Sequence, residues 1–215
     1  MKKIVVTIAI ALLCLAGTGC VRTTVVHNHY DGMENPVIET IMARRSVRHY
    51  TDQTVPRELL QQIAECGVNA PNAMNHQQWE VRIIDSQEYF DGLTEVMKES
   101  APFPVGTDDP KFRNVLRNAT AAIAVACPDD ESGMCLINVG LLCENVCLAA
   151  KSLGLGSVVM AGPVMMMNNT PAAKPFLDRL GFSEGYKLRV IVGLGYPDEE
   201  PEAKPRDLDK IKFVE

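Results

Sequence analysis

The run from Cys135 to Leu153 does most to limit how this 215-residue chain can fold. It keeps helical spacing throughout and is almost continuously apolar. It is closed by Gly154, the residue type that most easily takes the left-handed conformation ending a helix. Such a helix has to be buried on most sides, either at the centre of a domain or in a subunit interface. Cys143 and Cys147 fall on one face of it, in an apolar stripe with Leu136, Val139 and Val146, where they read as small buried hydrophobes.

The segments around it supply the cover. Pro36 suits a first helical turn, and Val37, Ile38, Ile41 and Met42 form a stripe running up to a basic cluster. A second helix follows Thr54 and Pro56, carries Leu59, Leu60 and Ile63, and runs to about Gly67. Trp79, Val81 and Ile83 alternate with polar residues as a half-buried strand. Helices are predicted over Tyr89–Lys98 and Pro171–Leu180, with strands over Ala121–Cys127, Ser157–Met160 and Leu188–Leu194. Pro102, Pro104 and Gly106 open a loop able to border a pocket. Long helices with few strands predict an α+β fold, one sheet covered by helices.

The first twenty residues are a separate object. Lys2 and Lys3 precede an apolar run from Ile4 to Leu15 and the small residues Ala16-Gly17-Thr18-Gly19, in the order of a secretory signal. The run is a little over half the roughly 20 residues a spanning helix needs. Cys20 follows as in a bacterial lipoprotein processing site, although Gly17 stands where such sites usually carry a larger aliphatic residue. Lipidation of Cys20 would anchor an exported protein to the membrane of the cell envelope, with plain cleavage as the other outcome. Residues 21–35 then read as a tether, and its His27 and His29 alone make a poor metal site. This gives a signal segment over 1–20, a tether over 21–35 and one domain over 36–215. No CxxC pair is present, so neither a zinc ribbon nor a thioredoxin-like motif is expected. The net charge of −6 argues against a nucleic-acid partner.

Three short stretches carry the chemistry. Arg44-Arg45-Ser46-Val47-Arg48 packs three guanidinium groups and a hydroxyl at the end of the first helix. Such a cluster suits a phosphate, though a solvated charge run at a helix end has the same composition. Ala70 to Trp79 is a polar loop rich in amides able to meet the edge of a ring or a polyol chain, and equally able to make ordinary turns. Lys204-Pro205-Arg206 lies near the C-terminus, after Gly195-Tyr196-Pro197 and an acidic linker.

In order, these stretches and the Leu153-Gly154-Leu155-Gly156-Ser157 turn resemble the nitroreductase family from Pro36 to the end. Each motif is weak, whereas the ordered series is specific. The resemblance implies an intertwined homodimer with a mixed, mainly antiparallel sheet, and two FMN sites at its interface. By position, Arg44 and Ser46 with Lys204 and Arg206 would hold the FMN phosphate, and Arg45 is counted with them among the cofactor-binding residues. Arg48 would lie near the N1/O2 edge of the flavin, and Asn72, Ala73 and Asn75 would reach the flavin of the partner subunit. Met160, Ala161 and Gly162 match a backbone turn beside the ring. Ala161 replaces a frequent acidic residue there, so only backbone groups are expected to act near N5, and Gln78 replaces a frequent proline. A second contact to the pyrimidine edge, which some members take from residues near Phe112 to Arg117, has no evident counterpart. The implied activity is ping-pong hydride transfer from NAD(P)H through the flavin to nitroaromatic, quinone or related small acceptors. Export makes nicotinamide nucleotides scarce, so a membrane electron donor is the alternative source. An exported electron carrier and a non-catalytic lipoprotein binding module remain the other readings.

Overall fold

The computed structural model describes residues 35–100, 109–129 and 133–215. The predicted signal, Cys20, the tether and the loop at Pro102 to Gly106 lie outside the described residues. Met33–Ala203 form one compact unit, and Lys204–Glu215 belong to a second.

In the larger unit the order is α1 (Pro36–Ala43), α2 (Arg57–Val68), β1 (Glu80–Ile84), α3 (Gln87–Ser100), β2 (Ala121–Pro128), α4 (Met134–Ser152), β3 (Gly156–Met160), α5 (Gly162–Asn169), α6 (Lys174–Arg179) and β4 (Tyr186–Gly195). The strands form one sheet in the order β1-β2-β4-β3. All three pairings between them are antiparallel. The parallel component of the expected mixed sheet is a single bridge between Ser46 and Ser157.

Period-two side-chain alternation splits the sheet between two cores. Ile123 and Val125 of β2 and Val192 and Leu194 of β4 face α2 and α4, together with Leu60, Ile63, Leu142 and Val146. Ala122, Ala124 and Ile191 face the other way, against Phe90, Leu93 and Met97 of α3 and Val164 and Met167 of α5. β2 is therefore buried on both faces, which explains why its sequence is a continuous apolar run.

α4 spans 19 residues and ends, as the sequence predicts, before Gly154, whose φ of +79° is in the left-handed region. It is long and apolar enough to cross a bilayer, but half of it is packed inside the domain, as a core helix is. Cys143 and Cys147 are buried, and burial pushes both thiols up, Cys143 to about 12. Leu136 lies on the same helical face as Cys143 and Cys147 but is 54% exposed in the first turn, while Cys135, Asn138, Val139 and Leu142 are buried beside it.

Two segments differ from the sequence prediction. The single helix expected over Pro171–Leu180 is a 3-10 turn, Pro171–Ala173, followed by the short α6. Pro171 and Pro175 each remove a backbone donor, which prevents one uninterrupted ladder. The Gly-Pro-Val-Met-Met-Met stretch after Ala161 is not a turn alone but opens α5, with Pro163 in its first turn.

Candidate active site

The basic cluster sits where α1 gives way to an extended segment against the sheet. Arg44 caps α1 in extended conformation, its amide donating to Thr40 O. The chain then runs beside β3, with Val47 N donating to Ser157 O at 2.9 Å. This approach needs Gly156, because a Cβ there would stand 2.9 Å from the Val47 side chain. Further on, the segment pairs with the exit of β4: Thr51 N donates to Tyr196 O and Asp198 N to His49 O, both at 2.9 Å. The Glu199 carboxylate accepts the backbone N–H of Arg48, and that of His49 at 3.3 Å. Tyr50 is buried and donates its hydroxyl to Val47 O at 2.6 Å, and burial raises its pKa well above the usual phenol value. Segment 46–50 is thus held on both sides, by β3 and by the 196–199 turn.

Cavities open along it, and two of them hold residues the sequence singles out. The larger, of 660 Å³, is lined by Arg44, Arg45 and Lys151, by the Gly154–Ser157 turn, and by Pro197 to Pro201. Arg45 is turned back on its own helix end, donating to Met42 O at 2.6 Å and Arg44 O at 2.8 Å. Arg44 is 27% exposed and stands 3.5 Å from the Glu144 carboxylate. Its Nε is buried without a hydrogen-bond partner. That Nε is the atom facing Glu144, so what this cavity offers an anion is its basic wall of Arg44, Arg45 and Lys151.

The second cavity, of 330 Å³, holds Arg48 and Gly162 on its walls with His49, Arg117, Asn114 and Asn118. Phe112, Val115, Met97, Pro163 and Met166 supply its apolar lining. Arg117 and Asn118 are successive non-glycine residues at φ +56° and +63°, backbone costing about 1–3 kcal/mol each and retained where a site needs it. Asn118 is the anchor of this turn. Its Oδ1 accepts from Arg113 N at 2.7 Å, and its Nδ2 donates to Arg48 O at 2.9 Å.

The cluster at 44–48 and the turn at 160–162 are therefore brought together: Arg48 and Gly162 share one cavity, while Met160 is buried and Ala161 exposed. The amide loop is a different place. Asn72, Ala73 and Asn75 line neither cavity; Ala73 N donates to Asn138 Oδ1 of α4 at 3.3 Å, and Asn72 Oδ1 accepts from Gln77 N at 2.9 Å. Met74, Asn75 and Gln77 all have positive φ near +50°, so this loop is also conformationally strained. Lys204 and Arg206 are exposed in the second unit, where Arg206 donates to Lys204 O at 3.1 Å. Residues the sequence reading passed over are Lys151, His49, Asn118 and Glu199. Only the Asn114–Asn118 spacing offered a signal, since these side chains act through contacts distant in the chain.

The basic segment thus runs between a cavity walled by Arg44, Arg45 and Lys151 and one with an apolar lining, a setting that suits a large, partly anionic ligand. Comparison with known proteins gives the family. The profile described as "Nitroreductase family" matches residues 41–196. A NADPH-flavin oxidoreductase of Vibrio harveyi is 32% identical over 179 residues, 80% of this chain and 70% of that protein. Among solved structures, a nitroreductase with bound FMN from Desulfitobacterium hafniense superposes with a TM-score of 0.75 at 29% identity, covering 85% of this chain and all of that one. A nitroreductase with bound FMN from Bacteroides fragilis gives 0.73 at 26% identity, over 84% of this chain and all of that one. The chain belongs to the nitroreductase family, whose members are FMN-dependent oxidoreductases.

Proposed function

We propose that this chain is an exported FMN-dependent oxidoreductase that reduces nitroaromatic, quinone or related small acceptors in two half-reactions sharing one cleft. The observation that carries the reading is the basic wall of Arg44, Arg45 and Lys151 beside the Gly154–Ser157 turn, with Arg48 and Gly162 in a second cavity. That donor set fits a phosphate at one end and a planar ring at the other.

Arg44 and Ser46, with Arg45 beside them, would hold the phosphate, and Arg48 would set positive charge at the N1/O2 edge of the ring. Arg117 on the same cavity wall would be the second basic group at the pyrimidine edge. The backbone of Met160, Ala161 and Gly162 would meet N5 and O4. Bound FMN supplies hydride transfer, accepting from a donor and delivering to an acceptor. The protein fixes the ring, keeps water out through Phe112, Met166 and Met97, and fixes the charge about it.

Asn72, Ala73 and Asn75 would serve the flavin of the partner subunit, in keeping with their distance from both cavities. A homodimer is further supported by the apolar residues left exposed on α1 (Val37, Ile38, Ile41, Met42) and α4 (Leu136, Ile137, Leu141). The signal-like first twenty residues and Cys20 would export and anchor the protein in the cell envelope. There electrons would come from a membrane reductant in place of free NAD(P)H. Stopped-flow reduction of the purified flavoprotein tests this: a reduced quinone should bleach the flavin faster than NADH or NADPH. Rapid, saturable bleaching by a nicotinamide nucleotide would overturn the donor assignment and leave the flavin site standing.

A further inference from the structure

His49 has no part in the flavin assignments above, yet it lines the cavity that holds Arg48 and Gly162. Its side chain is 24% exposed, and its backbone is fixed on both sides by Glu199 and Asp198. We infer that His49 is an acceptor-binding residue: an imidazole whose Nε2–H donates a hydrogen bond to an oxygen of the small molecule reduced in this cavity.

The tautomer follows from Asn118. Its Oδ1 accepts from two backbone N–H groups, Arg113 at 2.7 Å and Asn114 at 3.4 Å, which fixes the amide orientation. One Nδ2 hydrogen goes to Arg48 O at 2.9 Å. Nδ2 also stands 3.4 Å from His49 Nδ1, so a donor faces that ring nitrogen and Nδ1 must present its lone pair. The ring proton therefore sits on Nε2. Nε2 stands 3.6 Å from the Asp109 carboxylate, close enough to orient the N–H but beyond hydrogen-bond range. Among the described residues the N–H makes no hydrogen bond, and Phe112, Val115 and Met166 of the same cavity give a flat ring an apolar wall. Together these select a planar acceptor bearing a carbonyl or nitro oxygen. The inference rests on the reading of this cavity as the acceptor end of the flavin site.

The test uses the purified flavoprotein and two substitutions. His49→Phe keeps a ring and removes the donor, and His49→Gln returns an N–H near the Nε2 position. For benzoquinone, His49→Phe should raise KM about three- to tenfold with little change in kcat, the range of one neutral hydrogen bond, and His49→Gln should recover most of it. Reduction of ferricyanide, which presents no such oxygen, should be unchanged. Nitrogen-15 NMR of the wild-type protein, with or without flavin, should show Nδ1 unprotonated and Nε2 protonated. The opposite tautomer, an unchanged benzoquinone KM, or an equal effect on ferricyanide would each overturn the inference. A wild-type protein that takes up no flavin would instead bring down the proposed function beneath it.

Discussion

At the residue scale the site depends on side chains that act on backbone. Glu199 accepts the amide hydrogens of Arg48 and His49 from a turn some 150 positions away in sequence. Glu199→Ala leaves both donors open and should cost about 1–3 kcal/mol of stability, read as a lower thermal midpoint. Arg44→Ala should weaken FMN binding about tenfold to a hundredfold in a fluorescence titration, the loss of one charge-assisted pair. Gly156→Ala drives a methyl group into Val47 and should destabilise by about 1–3 kcal/mol. The basic cluster itself was legible because arginines are conspicuous. Its supports were not, since the roles of Glu199 and Asn118 exist only once 196–201 and 113–118 are folded against 46–50.

At the element scale α4 carries most of the account. Its length, its glycine stop and its buried cysteines were readable because apolar spacing and a left-handed cap are local signals. The stripe was readable, but the exposure of Leu136 at its N-terminal end was not, because cover over a first turn depends on what packs there. α5 was missed for a related reason: a run of methionines after Gly-Pro has no polar face to define a period. The buried thiol of Cys143 gives the helix a pH dependence. Its folded pKa is raised by burial to about 12 from the unfolded 9.0, so its contribution is intact below pH 9.0. Stability should fall between pH 9.0 and about 12, as the unfolded thiol ionises and the folded one does not. Cys143→Ala should reduce that fall in urea melts followed over pH. The proposed homodimer uses the outer face of α4, where Ile137 and Leu141 are exposed: Ile137→Glu with Leu141→Glu should turn a sedimenting dimer into monomer.

For the whole molecule, the α+β class, the helix-covered sheet and the family were legible from an ordered series of weak motifs, because each motif marks a backbone feature of one fold. The cavities were not, since they form between the 44–48 segment, the β3–α5 turn and loops far apart in sequence. The same geometry makes one central claim, that the basic wall at Arg44 and the Arg48 cavity hold FMN. The absorbance spectrum of the purified protein, with analysis of whatever denaturation releases, tests it most directly. The account predicts a yellow protein that yields FMN. A colourless protein that stays colourless after reconstitution with FMN would contradict it.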